Sequence, residues 1–309
     1  MLPSFITALA LAATATASCS RVSLQVATAR YVAAQTRGGG LAGFAASNLT
    51  YTENDSHVNT TRSILNFPLN ITQSRSIHDT VACSSFTEII AAGLPDQYVI
   101  GTRILYDAAA SNDSTLLAHT IESIVTKPGD WAFDAPGYLR WNAIEDWSPI
   151  PEPQRDSRAV IKAAGDAYFD RFANVNVTVP FGQPCARLEG GAYTGANALG
   201  NNTCDIGGLP SNIRVTNRRY VIDETMGVVD IFLGFPGLDR SVGDRPAPDS
   251  HMFRVEGGRI RYIHTVSACF NAGCGMNGTI FGRQTRRLRR TGRVAYPVGG
   301  WKSNTTWTL

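Results

Sequence analysis

The sequence predicts an α+β fold made of two tandem units, each reading as a helix, a strand and then a series of antiparallel strands. Three observations lead to that class: an internal repeat whose order and spacing match between halves, two amphipathic helical segments with one apolar stripe, and strand-like runs with period-2 alternation. The first helix follows Ser20-Arg21 and sets Leu24, Ala27 and Tyr31 on one face. The second follows Ser157-Arg158 and repeats the stripe with Ile161, Ala164 and Tyr168. Asp156 or Ser157 stands where an N-cap belongs, and Gly38-Gly39-Gly40 ends the first helix.

The correspondence continues into the strands. Tyr51-Thr52-Glu53 matches Arg187-Leu188-Glu189, and Ile77-His78-Asp79 matches Val221-Ile222-Asp223. Residues 103–106 and 117–125 then match 251–256 and 259–266. Between the units, Pro128, Pro136, Pro149, Pro151 and Pro153 exclude a continuous helix or a central strand. Trp131, Trp141 and Trp147 make the same stretch too apolar for a free linker, so it is expected to pack across both units as a strap. The expected organisation is an export segment at 1–18, a first unit at 19–127, the strap at 128–155, a second unit at 156–270 and a basic, glycosylatable tail at 271–309.

The export segment rests on the apolar run 5–13 followed by Ala15-Thr16-Ala17-Ser18, with cleavage expected near Ala17 or Ser18. That run is too short to span a bilayer, residues 1–4 carry no Lys or Arg, and no second run of membrane length follows. The expectation is a soluble protein delivered to the extracellular space, without a transmembrane segment. Nine N-glycosylation sequons fit that route, at Asn48, Asn54, Asn59, Asn70, Asn112, Asn176, Asn201, Asn277 and Asn304. The six cysteines suit disulfides in an oxidising compartment, with Cys19–Cys83, Cys185–Cys204 and Cys269–Cys274 as preferred pairs. Cys185–Cys204 would close a loop rich in Gly and Asn. Zinc is not expected, since Cys269 and Cys274 lack a second ligand pair at suitable spacing.

The net charge of +3 is a property of the tail: without Arg283, Arg286, Arg287, Arg289, Arg290 and Arg293 the remainder carries −3. The body is therefore not a polyanion binder, and no nucleic-acid partner is expected. The tail itself reads equally as a binder of acidic surfaces, a pair of dibasic processing sites at Arg286-Arg287 and Arg289-Arg290, or a solvated segment.

The helix with an inward Tyr, the strand carrying Tyr51-Thr52-Glu53-Asn54 and the closing hairpin across 251–262 resemble the SnoaL-like, nuclear transport factor 2-like cone fold. To about Cys269 the chain also resembles a group of uncharacterised secreted fungal proteins. The phrases that carry this are Gly129-Asp130-Trp131, Cys185-Ala186-Arg187-Leu188-Glu189-Gly190-Gly191 and Asn217-Arg218-Arg219-Tyr220-Val221-Ile222-Asp223. The cone resemblance implies two cone-shaped units, each a helix packed on a curved antiparallel sheet around one apolar pocket. The pair would form an internal pseudo-dimer; the sequence leaves oligomeric state open.

Candidate chemistry concentrates in the second unit. If Gly257-Gly258 form a two-residue turn, Glu256 faces Arg259, Val255 faces Ile260, Phe253 faces Tyr262 and His251 faces His264. Alternation then places His251, Phe253, Tyr262 and His264 on one pocket-facing side, where the histidines either move protons, bind a metal, or are structural and bonded to backbone or Asp249. In the adjacent hairpin, a turn centred on Thr225 would set Tyr220 opposite Asp230, as a general base with a phenolic partner or as a buried structural pair. Ketosteroid isomerase, a cone-fold enzyme, uses that type of pairing. Arg187 and Glu189 share a strand face, where they either orient a polar substrate or pair with each other, and Tyr168 lines the pocket from its helix.

Serine-hydrolase, Walker and Rossmann signatures are absent. Two functions remain. One is a cofactor-independent isomerase, lyase or cyclase acting on a small apolar metabolite, with Asp230 or His264 as base and Tyr220 and His251 positioning or protonating the substrate. The other is a non-catalytic secreted protein that binds a small molecule or a surface.

Overall fold

The computed structural model describes residues 19–274 apart from 42, 113, 114 and 208; the export segment, Asn277, Asn304 and the arginine-rich tail lie outside the described residues. Helix α1 (Arg21–Arg37) begins where the Ser20 side chain accepts from the backbone N–H of Ser23 and ends at Gly38, whose φ of 63° suits a left-handed C-cap. Leu24, Ala27, Thr28, Tyr31 and Gln35 form its buried stripe. Strands β1 (Ala45–Glu53), β2 (Ser56–His57), β3 (Gln73–Asp79), β4 (Ser84–Ala91), β5 (Tyr98–Asn112) and β6 (Thr115–Thr126) follow. The strap contains α2 (Ala135–Asn142), a short helix with Pro136 in its first turn, where a missing N–H costs nothing. Helix α3 (Arg158–Arg171) is capped by Ser157 and buries Ile161, Ala164, Gly165, Tyr168 and Phe169. It leads to β7 (Phe181–Glu189), β8 (Ala192–Tyr193), β9 (Thr216–Asp223), β10 (Val228–Phe235), β11 (Ala247–Glu256) and β12 (Arg259–Ser267).

These strands form two six-stranded sheets with one topology, β2-β1-β6-β5-β4-β3 and β8-β7-β12-β11-β10-β9. The repeat read from the sequence is thus a repeat of strand order. The sheets are mixed rather than antiparallel throughout, because β1 runs parallel to β6 and β7 parallel to β12. The long path through β2 to β5 supplies the crossover that a parallel neighbour requires.

Three apolar layers result. One gathers Leu24 and Tyr31 of α1 with Ile100, Ile104 and Ile121, and another gathers Ile161 and Tyr168 of α3 with Ile231, Phe253 and Ile263. The third lies between the sheets, where Phe86 meets Phe232 edge-on at 6.1 Å and the strap inserts Tyr138 and Trp147. Each such side chain contributes about 1.5–3 kcal/mol by leaving water. Burial on both sides explains why β10 reads as a nearly unbroken apolar run.

Both hairpin registers differ from those expected. The turn at Gly257-Gly258 has φ of 57° and 68°, and Glu256–Arg259 and Val255–Ile260 pair as anticipated. A bulge then leaves Arg261 without a partner, so Arg254 opposes Tyr262, Met252 opposes His264 and His251 opposes Thr265. One extra residue sends Tyr262 and His264 to the face opposite His251 and Phe253. In the other hairpin, Asp223 pairs with Val228 across a four-residue turn, so Tyr220 opposes Ile231 and Asp230 opposes Val221. The turn is longer because Asp223 accepts from the Met226 N–H and Gly227 adopts φ 58°. Tyr220 and Asp230 consequently face opposite sides of the sheet.

The cysteine pairs coincide with those expected: Cα–Cα distances are 5.0 Å for Cys19–Cys83, 5.4 Å for Cys185–Cys204 and 5.7 Å for Cys269–Cys274. No described helix is long and apolar enough to cross a membrane.

Candidate functional site

A cavity of about 100 Å³ opens on the α3 side of the second sheet. Its polar wall follows from register alone. His251 pairs with Thr265, Thr265 with Glu189, Asp249 with Ser267, and Ile263 with Arg187. Because alternate residues share a face, Asp249, His251, Thr265, Ser267, Arg187 and Glu189 form one patch across β11, β12 and β7. Tyr168 of α3 and Phe172, the residue that follows the helix, close one side, and Ile206, Leu209, Pro210, Ile213, Phe235 and Leu238 make the apolar end. The Cys185–Cys204 disulfide ties the loop bearing Ile206 to the strand bearing Arg187.

Within the patch, His251 Nδ1 lies 2.5 Å from Asp249 Oδ1, and Ser267 Oγ donates to Asp249 Oδ2 at 2.6 Å. A carboxylate only accepts, so Nδ1 carries a proton toward Asp249, and Nε2 is the ring nitrogen left to meet the cavity. Nε2 has no partner among the described residues, and His251 lines the cavity. Rings hold the imidazole in place: Phe169 stands edge-on at 5.0 Å, Phe253 stacks at 6.0 Å and Tyr168 lies 5.7 Å away.

Arg187 Nη2 donates to Tyr168 Oη at 2.6 Å and pairs with Glu189. Since Tyr168 accepts there, its own O–H proton is free to be donated. Burial pushes the Tyr168 phenol up, with Arg187 acting in the opposite sense. Burial also works against the Arg187 charge, but Glu189 and Tyr168 outweigh it and raise the guanidinium above its ordinary value. Arg187 is only 6% exposed, and among the described residues its Nε and Nη1 have no hydrogen-bond partner, nor does Thr265 Oγ1. Buried donors left without a partner among the described residues leave room at this wall for a further acceptor.

Of the other expected residues, Phe253 lies beneath His251 and Tyr168 rather than at the cavity surface. Tyr262 faces the layer between sheets, 5.5 Å from Trp147. Tyr220 donates to Asp166 of α3 at 2.8 Å. Asp230 is fully buried between the sheets, accepts from Ser250 at 2.7 Å, and has its carboxyl raised well above the usual range by burial. His264 is clamped there as well, with Nδ1 2.9 Å from Glu88 and Nε2 2.5 Å from Glu145. Burial pulls its pKa down, but Glu145 and Glu88 overcome that and hold it up at about 9. The four residues expected to act together are therefore split, and only His251 reaches the cavity. Asp249, two positions away on the same strand, was visible in the sequence as a partner; Trp131 was visible only as part of the apolar strap, and Thr265 and Ser267 carried no sequence signal. Among the described residues no group of three His, Cys, Asp or Glu is placed to hold a metal ion.

The same register argument locates the equivalent positions in the first unit. Thr102 pairs with Ser123, Ser123 with Glu53, and Ile100 with Val125. Thr102 and Ile100 therefore stand where His251 and Asp249 stand. Tyr31 Oη lies 2.8 Å from Thr102, Thr102 3.0 Å from Ser123, and Tyr51 donates to Glu53 at 2.6 Å. That unit has a chain of hydroxyls bonded to one another where the second has the Asp249–His251 pair.

A family model described as a domain of unknown function (DUF8021) matches residues 154–267, which hold α3 and the whole second sheet. No curated protein matches the chain. The chain's similarity to that family thus falls on the half that bears the Asp249–His251 pair.

Proposed function

We propose that the chain is a secreted glycoprotein whose second unit is a cofactor-independent isomerase, lyase or cyclase for a small, largely apolar metabolite. The observation that carries this reading is the Asp249–His251 pair with an unpartnered Nε2 at a cavity that is polar at one end and apolar at the other. Asp249 orients and charge-supports the imidazole, and His251 Nε2 takes a proton from the substrate and returns it at another atom. Tyr168, held by Arg187, donates to the substrate oxygen. The proposed architecture is two cones facing each other as an internal pseudo-dimer, supported by the repeated strand order and by the helix tyrosines buried against each sheet. Export is supported by three cysteine pairs at disulfide distance and by exposed sequon asparagines at 48, 59, 70, 176 and 201.

The test uses a carbon acid that needs only a positioned base, 5-nitrobenzisoxazole, whose ring opening is followed by absorbance. The protein is expected to exceed free imidazole on the order of 10²-fold, with the excess lost in H251A. Equal rates for the wild type and H251A would overturn the acid–base assignment. Native mass spectrometry then identifies a co-purifying metabolite; if the protein returns it unchanged after incubation, the cavity holds its ligand passively.

A further inference from the structure

Trp131 lines the cavity although it belongs to the strap, outside both sheets and outside residues 154–267. Its placement is built from two sides. Asp130 accepts from the Cys269 N–H at 2.7 Å and from the Lys127 N–H at 2.8 Å, while Gly273 N donates to Gly129 O at 2.6 Å. On the other side, Asp134 N donates to Gly190 O at 2.5 Å. Gly190 has φ 60°, and a Cβ there would stand 2.4 Å from Trp131 O; one at Gly191 would stand 2.4 Å from Asp134 O. The strap backbone therefore lies directly on the turn that follows Glu189, an approach only glycine permits. Ala132, a non-glycine residue, takes φ 47° beside Trp131, and strain of that kind persists only where surrounding contacts impose it.

The phrases Gly129-Asp130-Trp131 and Glu189-Gly190-Gly191, far apart in sequence, are thus the two halves of one contact whose product is the position of Trp131. A plain apolar stopper would not need it, since Phe235 and Leu238 already supply aliphatic and aromatic packing there. Trp131 remains only partly buried against them. We propose that Trp131 is the specificity-determining residue of this cavity, presenting an aromatic face that selects a small oxygenated ligand with a planar, unsaturated ring. The proposal rests on the cavity being the ligand site, and not on proton transfer. The ring packs on the indole while its oxygen is offered to Tyr168 and Arg187 at the opposite, polar wall.

The experiment is calorimetric titration of the full chain with phenol and with cyclohexanol, which match in size and in their single oxygen but differ in planarity and π-character. Wild type is expected to prefer phenol by roughly five-fold, the range of an aromatic contact. W131L is expected to bring the ratio to about one with cyclohexanol affinity retained, and W131F to keep most of the preference. G190A, which displaces the strap with the indole intact, should mimic W131L; circular dichroism confirms folding of each. An unchanged ratio in W131L, or equal affinities in the wild type, overturns the proposal. H251A separates it from the enzymatic reading: that variant should lose ring opening of 5-nitrobenzisoxazole yet keep the phenol preference. A preference without any ring opening in the wild type would remove the acid–base reading alone.

Discussion

Arg158 Nη2 lies 2.5 Å from Asp79 Oδ2, so the first turn of α3 in the second unit is fastened to the last residue of β3 in the first. Its mirror image is Arg21 with Asp223 at 2.8 Å, joining α1 to the end of β9. Backbone follows the same symmetry: Ile222 N donates to Asp79 at 3.0 Å and His78 N to Asp223 at 2.9 Å. Residue i meets j and j meets i, as at a two-fold interface between identical chains.

Removing one member of such a pair leaves a buried charge uncompensated. D79A is expected to cost about 2–4 kcal/mol, short of the full value for a buried pair because the Arg158 side chain is 31% exposed. Urea unfolding should still show one transition, since the two units share this contact and the layer between the sheets. A second, separate transition would show that the units fold independently.

The proposed acid–base role of Asp249 and His251 predicts unequal losses along β11 and β12. D249N should lower 5-nitrobenzisoxazole turnover most of the way to the H251A level, by roughly 10-fold to 10²-fold, because an amide no longer fixes the Nδ1–H tautomer. S267A, which removes one donor to Asp249 but leaves the dyad, should cost far less, and D249N/H251A should be no worse than H251A alone. Additive losses would show that the two residues do not act as a unit.

The layer between the sheets predicts how stability depends on pH. His264, normally near 6.5, is held at about 9, so its contribution is complete below pH 6.5 and is lost as pH rises through 9. Glu88 is depressed to about 2 despite its burial, by His264 and then Arg75, so its contribution is present above pH 4.5 and is lost as pH falls through 2. The alkaline loss should amount to a few kcal/mol and vanish in H264L. Chemical denaturation at a series of pH values checks this; an unchanged alkaline slope in H264L would refute it.

Asp230 has the opposite consequence from a salt-bridged carboxylate. Its folded pKa is raised, so stability is lost as pH rises above the unfolded value near 3.8. D230N keeps the shape of the protonated acid and should be more stable than wild type at neutral pH, with the difference disappearing below about pH 4. A D230N variant less stable at pH 7 would mean that the carboxylate is charged and paired.

Glycan occupancy should separate Asn54 from its neighbours. Its side-chain amide donates to Val125 O at 3.2 Å and accepts from Val125 N at 2.8 Å, and its backbone is left-handed at φ 49°. Peptide mapping of protein made in a glycosylating host is expected to find glycans at Asn48, Asn70 and Asn176 and bare asparagine at 54. A fully occupied Asn54 would show that this contact forms only after modification, or not at all.

Much of the fold was legible because it rests on local patterns. The Leu24–Tyr31 and Ile161–Tyr168 stripes, the Ser20 and Ser157 caps and the Gly257-Gly258 turn are set by neighbours a few residues away. Order and spacing found the repeat, and of the preferred cysteine pairs Cys185–Cys204 had a reason in the sequence, a loop rich in Gly and Asn. The site was less legible, because a strand side chain changes face with every residue and one bulge reverses everything beyond it. Of the residues named from the sequence, His251, Arg187, Glu189 and Tyr168 line the cavity, whereas Tyr262 and His264, grouped with His251 by simple alternation, lie on the other face of the sheet.

What the chain's own order of residues determined, then, is two repeated units joined by a Trp-rich strap and an ionisable cluster in the second of them. Only the tertiary structure decided which ionisable residues share a face. The bulge at Arg261, which has no register partner on β11, carries His264 into the buried layer, where two carboxylates hold it, and leaves His251 with Asp249 at the cavity. A bulge follows from how two strands and their neighbours pack, a balance of contacts from distant segments that no local pattern encodes.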